Sequence, residues 1–176
     1  RGLNALTDAG LSPQALAKIG EEVGSEVPYC VLGTTALAGG RGEALTPLSP
    51  LPPCWIVLCK PRFSISTPAL FRAWDKGKRR LRPDTKGILL ALEAGDLVEV
   101  ARRMFNVFEG VLPPTQQREI KSIKTALLTA GALGAAMSGS GPTVFGAFRE
   151  KALAESAVAF LREDYEEVFL TEPLSG

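Results

Sequence analysis

Apolar residues recur at near-helical spacing at the start of the chain and again further along it. The first such set comprises Leu3, Leu6, Leu11, Leu16 and Ile19. Ser12 followed by Pro13 is a residue pair typical of a helix start, and it predicts a helix that runs to about Val23. The sequence Ser66-Thr67-Pro68 predicts a second start of this kind. Further helices are predicted near residues 84–93, 97–108, 117–130 and 151–162.

Short strand-like segments lie between these helices. Trp55 to Cys59 is an unbroken apolar run of strand length, which indicates a central buried strand. Residues 24–33 are predicted to leave a helix, turn and enter a strand, and residues 35–48 to form a hairpin. Three more strands are predicted at 135–137, 143–148 and 167–171. Because strands and helices mix without regular βαβ alternation, the pattern favours an α+β layered fold.

A proline-rich stretch divides the chain. Prolines stand at positions 47, 50, 52 and 53. We interpret this stretch as the crossing between two domains, because proline-rich segments are typical of domain boundaries. The first domain is therefore predicted at residues 1–53 and the second at residues 54–176.

Composition and charge narrow the classes of function. Hydrophobic residues make up 45% of the chain and charged residues 22%, an ordinary balance for a globular protein. The formal net charge of +1 does not favour a nucleic-acid partner. No apolar run approaches the length of a membrane helix, and the first residues lack the pattern of a signal peptide. We therefore expect a cytoplasmic protein that binds neither nucleic acid nor membrane.

Histidine and cysteine usage removes several chemistries. Histidine is absent, which excludes Ser-His and Cys-His nucleophilic schemes and any His-ligated metal site. Cys30, Cys54 and Cys59 lie among apolar neighbours without metal-ligand or redox spacing, so we predict buried, reduced thiols. We assign no metal site to the protein's own residues. An enzyme of this composition would handle protons with carboxylates, lysines or water.

The most specific segment of the chain is a glycine- and serine-rich turn between two predicted strands. The turn comprises Ser138, Gly139, Ser140 and Gly141. Glycine permits positive φ and a close approach of the backbone, so successive N–H groups can surround an anion. The alternative is a glycine-rich hairpin that binds no ligand.

Three segments together resemble the GHMP superfamily of small-molecule kinases. Residues 137–146 resemble its third conserved motif, in which the loop borders the reacting phosphate. Residues 19–43 and 60–71 resemble the branch that phosphorylates a methylerythritol linked to cytidine diphosphate. The resemblance implies a GHMP-kinase fold: the remainder of a ribosomal-S5-like, ATP-binding domain, followed by a ferredoxin-like, substrate-binding domain.

The same resemblance implies roles for individual residues. At the position of Glu26 the family carries an aspartate that accepts the proton of the substrate hydroxyl, whereas the alternative is an exposed carboxylate at a helix end. A carboxylate displaced by about 1 Å can lose on the order of a hundredfold in rate. Thr67 would lie at the substrate pocket. Phe71 would stack on cytosine, although it could also be a core residue of an amphipathic helix.

The resemblance also implies a reaction. ATP with Mg²⁺ would phosphorylate the 2-hydroxyl of the cytidine diphosphate-linked methylerythritol, a step in non-mevalonate isoprenoid synthesis. A basic run could attract such polyphosphates, with a solvated surface loop as the alternative. It comprises Lys76, Lys78, Arg79, Arg80 and Arg82.

The family's ATP-phosphate loop and its catalytic lysine have no counterpart before Arg1. We therefore expect a fragment that is inactive alone. Two alternatives stay open at this point. One is another GHMP kinase that acts on homoserine or a mevalonate derivative. The other is a non-catalytic binding module that self-associates through an exposed half-domain.

Overall fold

The computed structural model describes residues 1–77 and 81–174, and these form two compact units. The first unit contains Arg1–Leu51 together with Leu174, and the second contains Pro52–Pro173. The boundary falls within the proline-rich stretch. Of the described helices, none combines the length and the apolar character needed to cross a membrane.

The first unit contains three short helices and one hairpin. The helices are α1 (Gly2–Leu6), α2 (Pro13–Glu21) and α3 (Val27–Leu32), and the antiparallel strands are β1 (Ala36–Gly39) and β2 (Ala44–Pro47). The Ser12 side chain accepts a hydrogen bond from the Ala15 N–H at 3.1 Å, which confirms the predicted helix start. The predicted hairpin is also confirmed.

The strand predicted within residues 24–33 is wrong, because this segment forms α3. Pro28 lies in the first turn of that helix, where a missing N–H leaves no hydrogen bond unmade. A short apolar run without alternation does not distinguish a strand from a helix, and here the proline position favours the helix.

The helical conformation also changes the environment of one thiol. All three cysteines are free, as predicted, and Cys54 and Cys59 are buried. Cys30 is exposed on α3, so the prediction that it is buried is wrong. Burial, with a smaller contribution from Glu119, raises the pKa of the Cys59 thiol to about 12.

The second unit contains a four-stranded sheet with helices packed on it. The strands are β3 (Trp55–Lys60), β4 (Gly134–Met137), β5 (Val144–Phe148) and β6 (Glu167–Thr171). They pair in the order β4-β5-β3-β6, and every neighbouring pair is antiparallel. The helices are α4 (Thr67–Lys76), α5 (Thr85–Glu93), α6 (Leu97–Arg102), α7 (Pro114–Thr129) and α8 (Lys151–Leu161). This is a ferredoxin-like arrangement, which confirms the predicted α+β class and the predicted fold of this part.

The core of the second unit lies between the sheet and its helices. Val57 on β3 and Phe148 on β5 are fully buried, and they pack with Ile123 and Leu127 of α7. Helix α8 adds Leu161 to the same core. Each such side chain contributes about 1.5–3 kcal/mol through burial. The prediction that β3 is a central buried strand is confirmed.

The helix predicted over residues 97–108 is shorter than expected. Helix α6 ends at Arg102, and a short 3-10 helix occupies Val107–Val111. Between them, Asn106 has an extended backbone, and its side-chain oxygen accepts a hydrogen bond from the Phe108 N–H at 2.9 Å. A local side-chain bond of this kind competes with helical hydrogen bonding, which explains the early helix end.

In the predicted basic run, Lys78, Arg79 and Arg80 lie outside the described residues.

Candidate functional site

The glycine- and serine-rich turn connects β4 to β5. The Ser138 N–H donates to the Thr143 carbonyl, and the Gly141 N–H donates to the Ser138 carbonyl, both at 2.8 Å. These two N–H groups are therefore used inside the hairpin. Among the described residues, no hydrogen-bond acceptor faces the N–H groups of Gly139 and Ser140. Two backbone donors of this turn, rather than four, are available to an anion.

The two glycines of the turn have different surroundings. Both have positive φ, +53° at Gly139 and +77° at Gly141. A side-chain Cβ added at Gly139 would meet no atom within 4 Å. A Cβ added at Gly141 would lie 2.4 Å from the Met137 sulfur and 3.0 Å from Ile65 Cδ1. The turn is thus open at Gly139 and packed at Gly141, and we expect a ligand to approach at Gly139.

Thr67 lies beside this turn. It is the first residue of α4, and its hydroxyl lies 2.9 Å from the hydroxyl of Ser140, at hydrogen-bond distance. The structure therefore brings together two residues that were predicted from separate segments of the chain. The helix start that the sequence predicted here is present, although the Ser66 side chain makes no capping hydrogen bond.

Phe71 lies one turn further along α4. Its side chain is 51% exposed, so it is not a core residue of an amphipathic helix. The Phe71 and Phe108 ring centroids are 5.0 Å apart with an interplanar angle of 75°, an edge-to-face pair. This contact orients the Phe71 ring and leaves half of the side chain accessible.

Two polar residues that the sequence analysis did not select form hydrogen bonds with the backbone of Met137 and of the turn that follows it. Asn106 Nδ2 donates to the carbonyl oxygens of Met137 and Gly139, at 2.7 and 2.8 Å. The carboxylate of Glu109 accepts a hydrogen bond from the Met137 N–H at 2.8 Å and pairs with Lys124. The signal in the sequence was a lone asparagine between the apolar pairs Met104-Phe105 and Val107-Phe108.

Glu26 lies in the first unit. It is the N-cap residue of α3, its side chain is exposed, and it makes no capping hydrogen bond. The Cγ atom of Glu26 would lie 3.6 Å from a Cβ added at Gly42, next to the β1–β2 turn. Among the described residues of its unit, no hydrogen bond or ion pair orients its carboxylate.

Comparison with known proteins finds a family similarity within the second unit. Residues 88–167 match the family model described as "GHMP kinases C terminal". The chain is 42% identical over 176 residues to 4-diphosphocytidyl-2-C-methyl-D-erythritol kinase of Moorella thermoacetica. Residues 88–167 therefore resemble the C-terminal domain of GHMP kinases. The Moorella match covers 98% of this chain and 61% of the relative, so the chain spans about three fifths of the length of that relative.

Solved structures agree with the GHMP kinase domain. The chain superposes on a crystal structure of 4-(cytidine 5'-diphospho)-2C-methyl-D-erythritol kinase with a TM-score of 0.79 and 29% identity. That match covers 99% of this chain and 62% of the solved one. A crystal structure of L. major mevalonate kinase in complex with R-mevalonate matches with a TM-score of 0.70 over 100% of this chain and 63% of its own. At 17% identity, this second likeness concerns the fold alone.

Proposed function

We propose that the protein to which this chain belongs transfers the γ-phosphate of ATP to the 2-hydroxyl of 4-diphosphocytidyl-2-C-methyl-D-erythritol. The observation that carries this proposal is the cluster of Thr67, Phe71 and the open side of the Ser138–Gly141 turn on one packed domain. The similarity to a relative named for this substrate, at 42% identity, supports the choice of acceptor.

The reaction assigns a separate task to each group. The substrate hydroxyl oxygen attacks the γ-phosphorus, the bond from that phosphorus to the β-phosphate oxygen breaks, and ADP leaves. Glu26 is the proposed acceptor of the hydroxyl proton, a role that glutamate can perform in place of aspartate. The N–H groups of Gly139 and Ser140 are the proposed donors to the transferred phosphoryl group, where fixed backbone dipoles offset developing negative charge.

The remaining candidate residues hold the substrate. Thr67 is proposed to contact the substrate through its hydroxyl, which Ser140 already orients. Phe71 is proposed to stack on the cytosine ring, because its side chain is half exposed and is held in an edge-to-face pair with Phe108. Stacking of a nucleic-acid base on an aromatic side chain contributes about 1–3 kcal/mol. Mg²⁺ is proposed to enter together with ATP, where it would offset the negative charge of the phosphates, and no residue of the described chain is assigned to hold it.

The first test compares ATP turnover in two proteins, with diphosphocytidyl-methylerythritol as acceptor. One is the 176-residue chain. The other is a fusion in which the part of the Moorella thermoacetica relative that the match leaves uncovered precedes Arg1. We expect turnover in the fusion and none in the chain alone. A folded fusion without turnover would contradict the proposed activity.

Variants at Glu26 in the active fusion test its role. General-base catalysis contributes about a hundredfold to ten-thousandfold, so Glu26→Gln should lower kcat by about that factor. Glu26→Asp keeps a carboxylate and should retain activity. Equal losses in both variants, with unchanged folding, would show that the carboxylate is not the proton acceptor.

A different GHMP kinase activity is the second candidate. The mevalonate kinase likeness in fold motivates it. A panel of acceptors with the same fusion separates the candidates, with homoserine and mevalonate beside the cytidine diphosphate-linked substrate. Preference for either of the first two would overturn the choice of acceptor while leaving the kinase assignment in place.

Three broader proposals follow from the sequence analysis. We propose that the domain limits are residues 1–53 and 54–176 and that the protein is cytoplasmic. We also propose self-association of the isolated chain through the exposed apolar residues of the first unit, such as Leu6 and Val23. Sedimentation of the chain and of a Leu6→Ser, Val23→Ser double variant tests this proposal. Self-association should be lost in the variant.

A further inference from the structure

We propose that Asn106 is a positioning residue. It fixes the backbone of the Ser138–Gly141 turn relative to the aromatic pair of Phe71 and Phe108. Its side-chain nitrogen donates to Met137 O and Gly139 O, and its side-chain oxygen accepts from the Phe108 N–H at 2.9 Å. Both amide donors and the amide acceptor are therefore engaged. The opposite orientation of the amide would place its oxygen against two carbonyl oxygens, so the hydrogen bonds themselves fix the orientation.

The bond to Gly139 determines where one backbone donor points. The Gly139 carbonyl and the Ser140 N–H belong to the same planar trans peptide, in which C=O and N–H point in opposite directions. Because Asn106 holds the carbonyl, the Ser140 N–H points to the opposite side of the turn. This N–H is one of the two donors that remain unengaged among the described residues. Asn106 thereby aims a donor that the proposed function assigns to the phosphoryl group.

The acceptor side of Asn106 acts on the aromatic pair. The Phe108 N–H is held at the start of the 3-10 helix, and the Phe108 ring packs edge-to-face with Phe71. The backbone of residue 108 and the carbonyls of the turn are thus tied to one short, branched side chain. The Ser138–Gly141 turn and the Phe71–Phe108 pair are therefore held at a fixed distance and orientation to each other.

Glu109 supports the same junction from the other side of Met137. Its carboxylate accepts the Met137 N–H, while Asn106 donates to the Met137 carbonyl. Both backbone groups of the last residue of β4 are consequently held by the segment 106–109. This makes Asn106 one member of a local network, and its separate contribution needs a variant that changes only its donors.

Asn106→Asp is that variant, because aspartate has the same shape and keeps an acceptor for the Phe108 N–H. It replaces the donor with a carboxylate oxygen that repels the Met137 and Gly139 carbonyls. The kcat of the fusion should fall on the order of a hundredfold, an expectation that rests on the proposed function. The KM for the cytidine diphosphate-linked substrate should stay within about twofold, because the aromatic pair is retained.

Asn106→Ala removes both the donors and the acceptor of the side-chain amide. It should lower kcat and also raise that KM on the order of tenfold, through the loss of an oriented aromatic face. A wild-type kcat in Asn106→Asp, or the same kcat and KM in the two variants, would overturn the proposal. Thermal unfolding midpoints recorded in parallel separate a positioning effect from a loss of folded protein.

A second readout does not depend on turnover. In the 176-residue chain, Asn106→Asp should shift the amide resonances of Gly139 and Ser140. Asn4 provides the matched control, since its side chain also donates to a carbonyl and accepts from an N–H, both of Leu11. Asn4→Asp should leave the resonances of the turn unchanged. If the unsubstituted fusion is inactive, the proposed function fails, and unchanged turn resonances in Asn106→Asp would separately overturn the positioning role.

Discussion

The two units of this chain bury very different amounts of apolar surface. In the second unit, large side chains such as Phe148 and Ile123 are fully enclosed between sheet and helices. In the first unit, the buried residues among those described are Ala17, Gly20 and Pro28. Leu6 is 84% exposed. Since burial is the main favourable term in folding, the stability of the chain should reside in the second unit.

This difference matters for the proposed function, because that proposal assigns roles to residues of both units. Thr67, Phe71 and the Ser138–Gly141 turn stand on the packed sheet and are held by hydrogen bonds and ring contacts. Glu26 is the N-cap residue of the short helix α3, and the described residues of its own unit give its side chain no such support. The comparison teaches that the residues proposed to contact phosphate and substrate are fixed by contacts within the second unit, whereas the described contacts of the first unit do not fix the proposed base.

The largest expected effect tests where the stability lies. Phe148→Ala removes a fully buried ring and should lower the free energy of unfolding by about 3–5 kcal/mol. Leu6→Ala removes exposed surface and should change it by less than about 0.5 kcal/mol. Urea unfolding of the chain and both variants measures the two values. Comparable losses would mean that the first unit contributes a core of its own.

The two glycines of the turn provide the next test. Gly141→Ala places a Cβ against Met137 and Ile65 at positive φ, and should destabilise the chain by about 2–4 kcal/mol. Gly139→Ala meets open space, so only the conformational cost of about 1 kcal/mol remains. Unfolding free energies measure this difference. Similar values for both would show that the turn is equally open at its two glycines.

Much of the second unit could be predicted from the sequence, because its elements carry strong local signals. The apolar run of β3 has the length of a strand and is stopped by Lys60-Pro61, α8 is amphipathic, and the glycine-rich turn lies between two predicted strands. The apolar segment 27–32 fits the period of a strand as well as that of a helix, so its pattern alone does not predict the helix that Pro28 opens.

The site was only partly predictable for a related reason. Ser138–Gly141, Thr67 and Phe71 were selected through motifs, whereas Asn106 was passed over inside a segment assigned to a helix. Its role depends on carbonyl oxygens 31 and 33 residues away, and local spacing carries no information about such contacts. Likewise, the division of the turn's N–H groups into used and available donors required the pairing of β4 with β5.

Unfolding at alkaline pH tests the burial of the Cys59 thiol in the second unit. The folded-state pKa of Cys59 is raised to about 12, above that of an unfolded thiol, so the stabilising effect is complete below about pH 9. As pH rises from about 9 towards 12, the unfolded thiol ionises first and stability falls by up to about 1.4 kcal/mol per pH unit. Cys59→Ala should flatten this slope in urea unfolding measured across that range. Cys30→Ala, the same change at an exposed thiol, is the control, and an unchanged slope in Cys59→Ala would contradict the assignment.

The smallest expected effect compares matching helix caps in the two units. Ser12 accepts the Ala15 N–H at the start of α2, and Asp96 accepts the Glu99 N–H at the start of α6, both at 3.1 Å. Either change to alanine should cost about 1 kcal/mol locally. In Asp96→Ala the loss should appear in the global free energy of unfolding, because α6 is packed on the sheet. In Ser12→Ala it should appear as faster amide hydrogen exchange within α2 alone, since few buried contacts couple that helix to the rest of the chain. A global loss from Ser12→Ala equal to that from Asp96→Ala would mean that the first unit unfolds together with the second, and that Glu26 is held more firmly than its own contacts indicate.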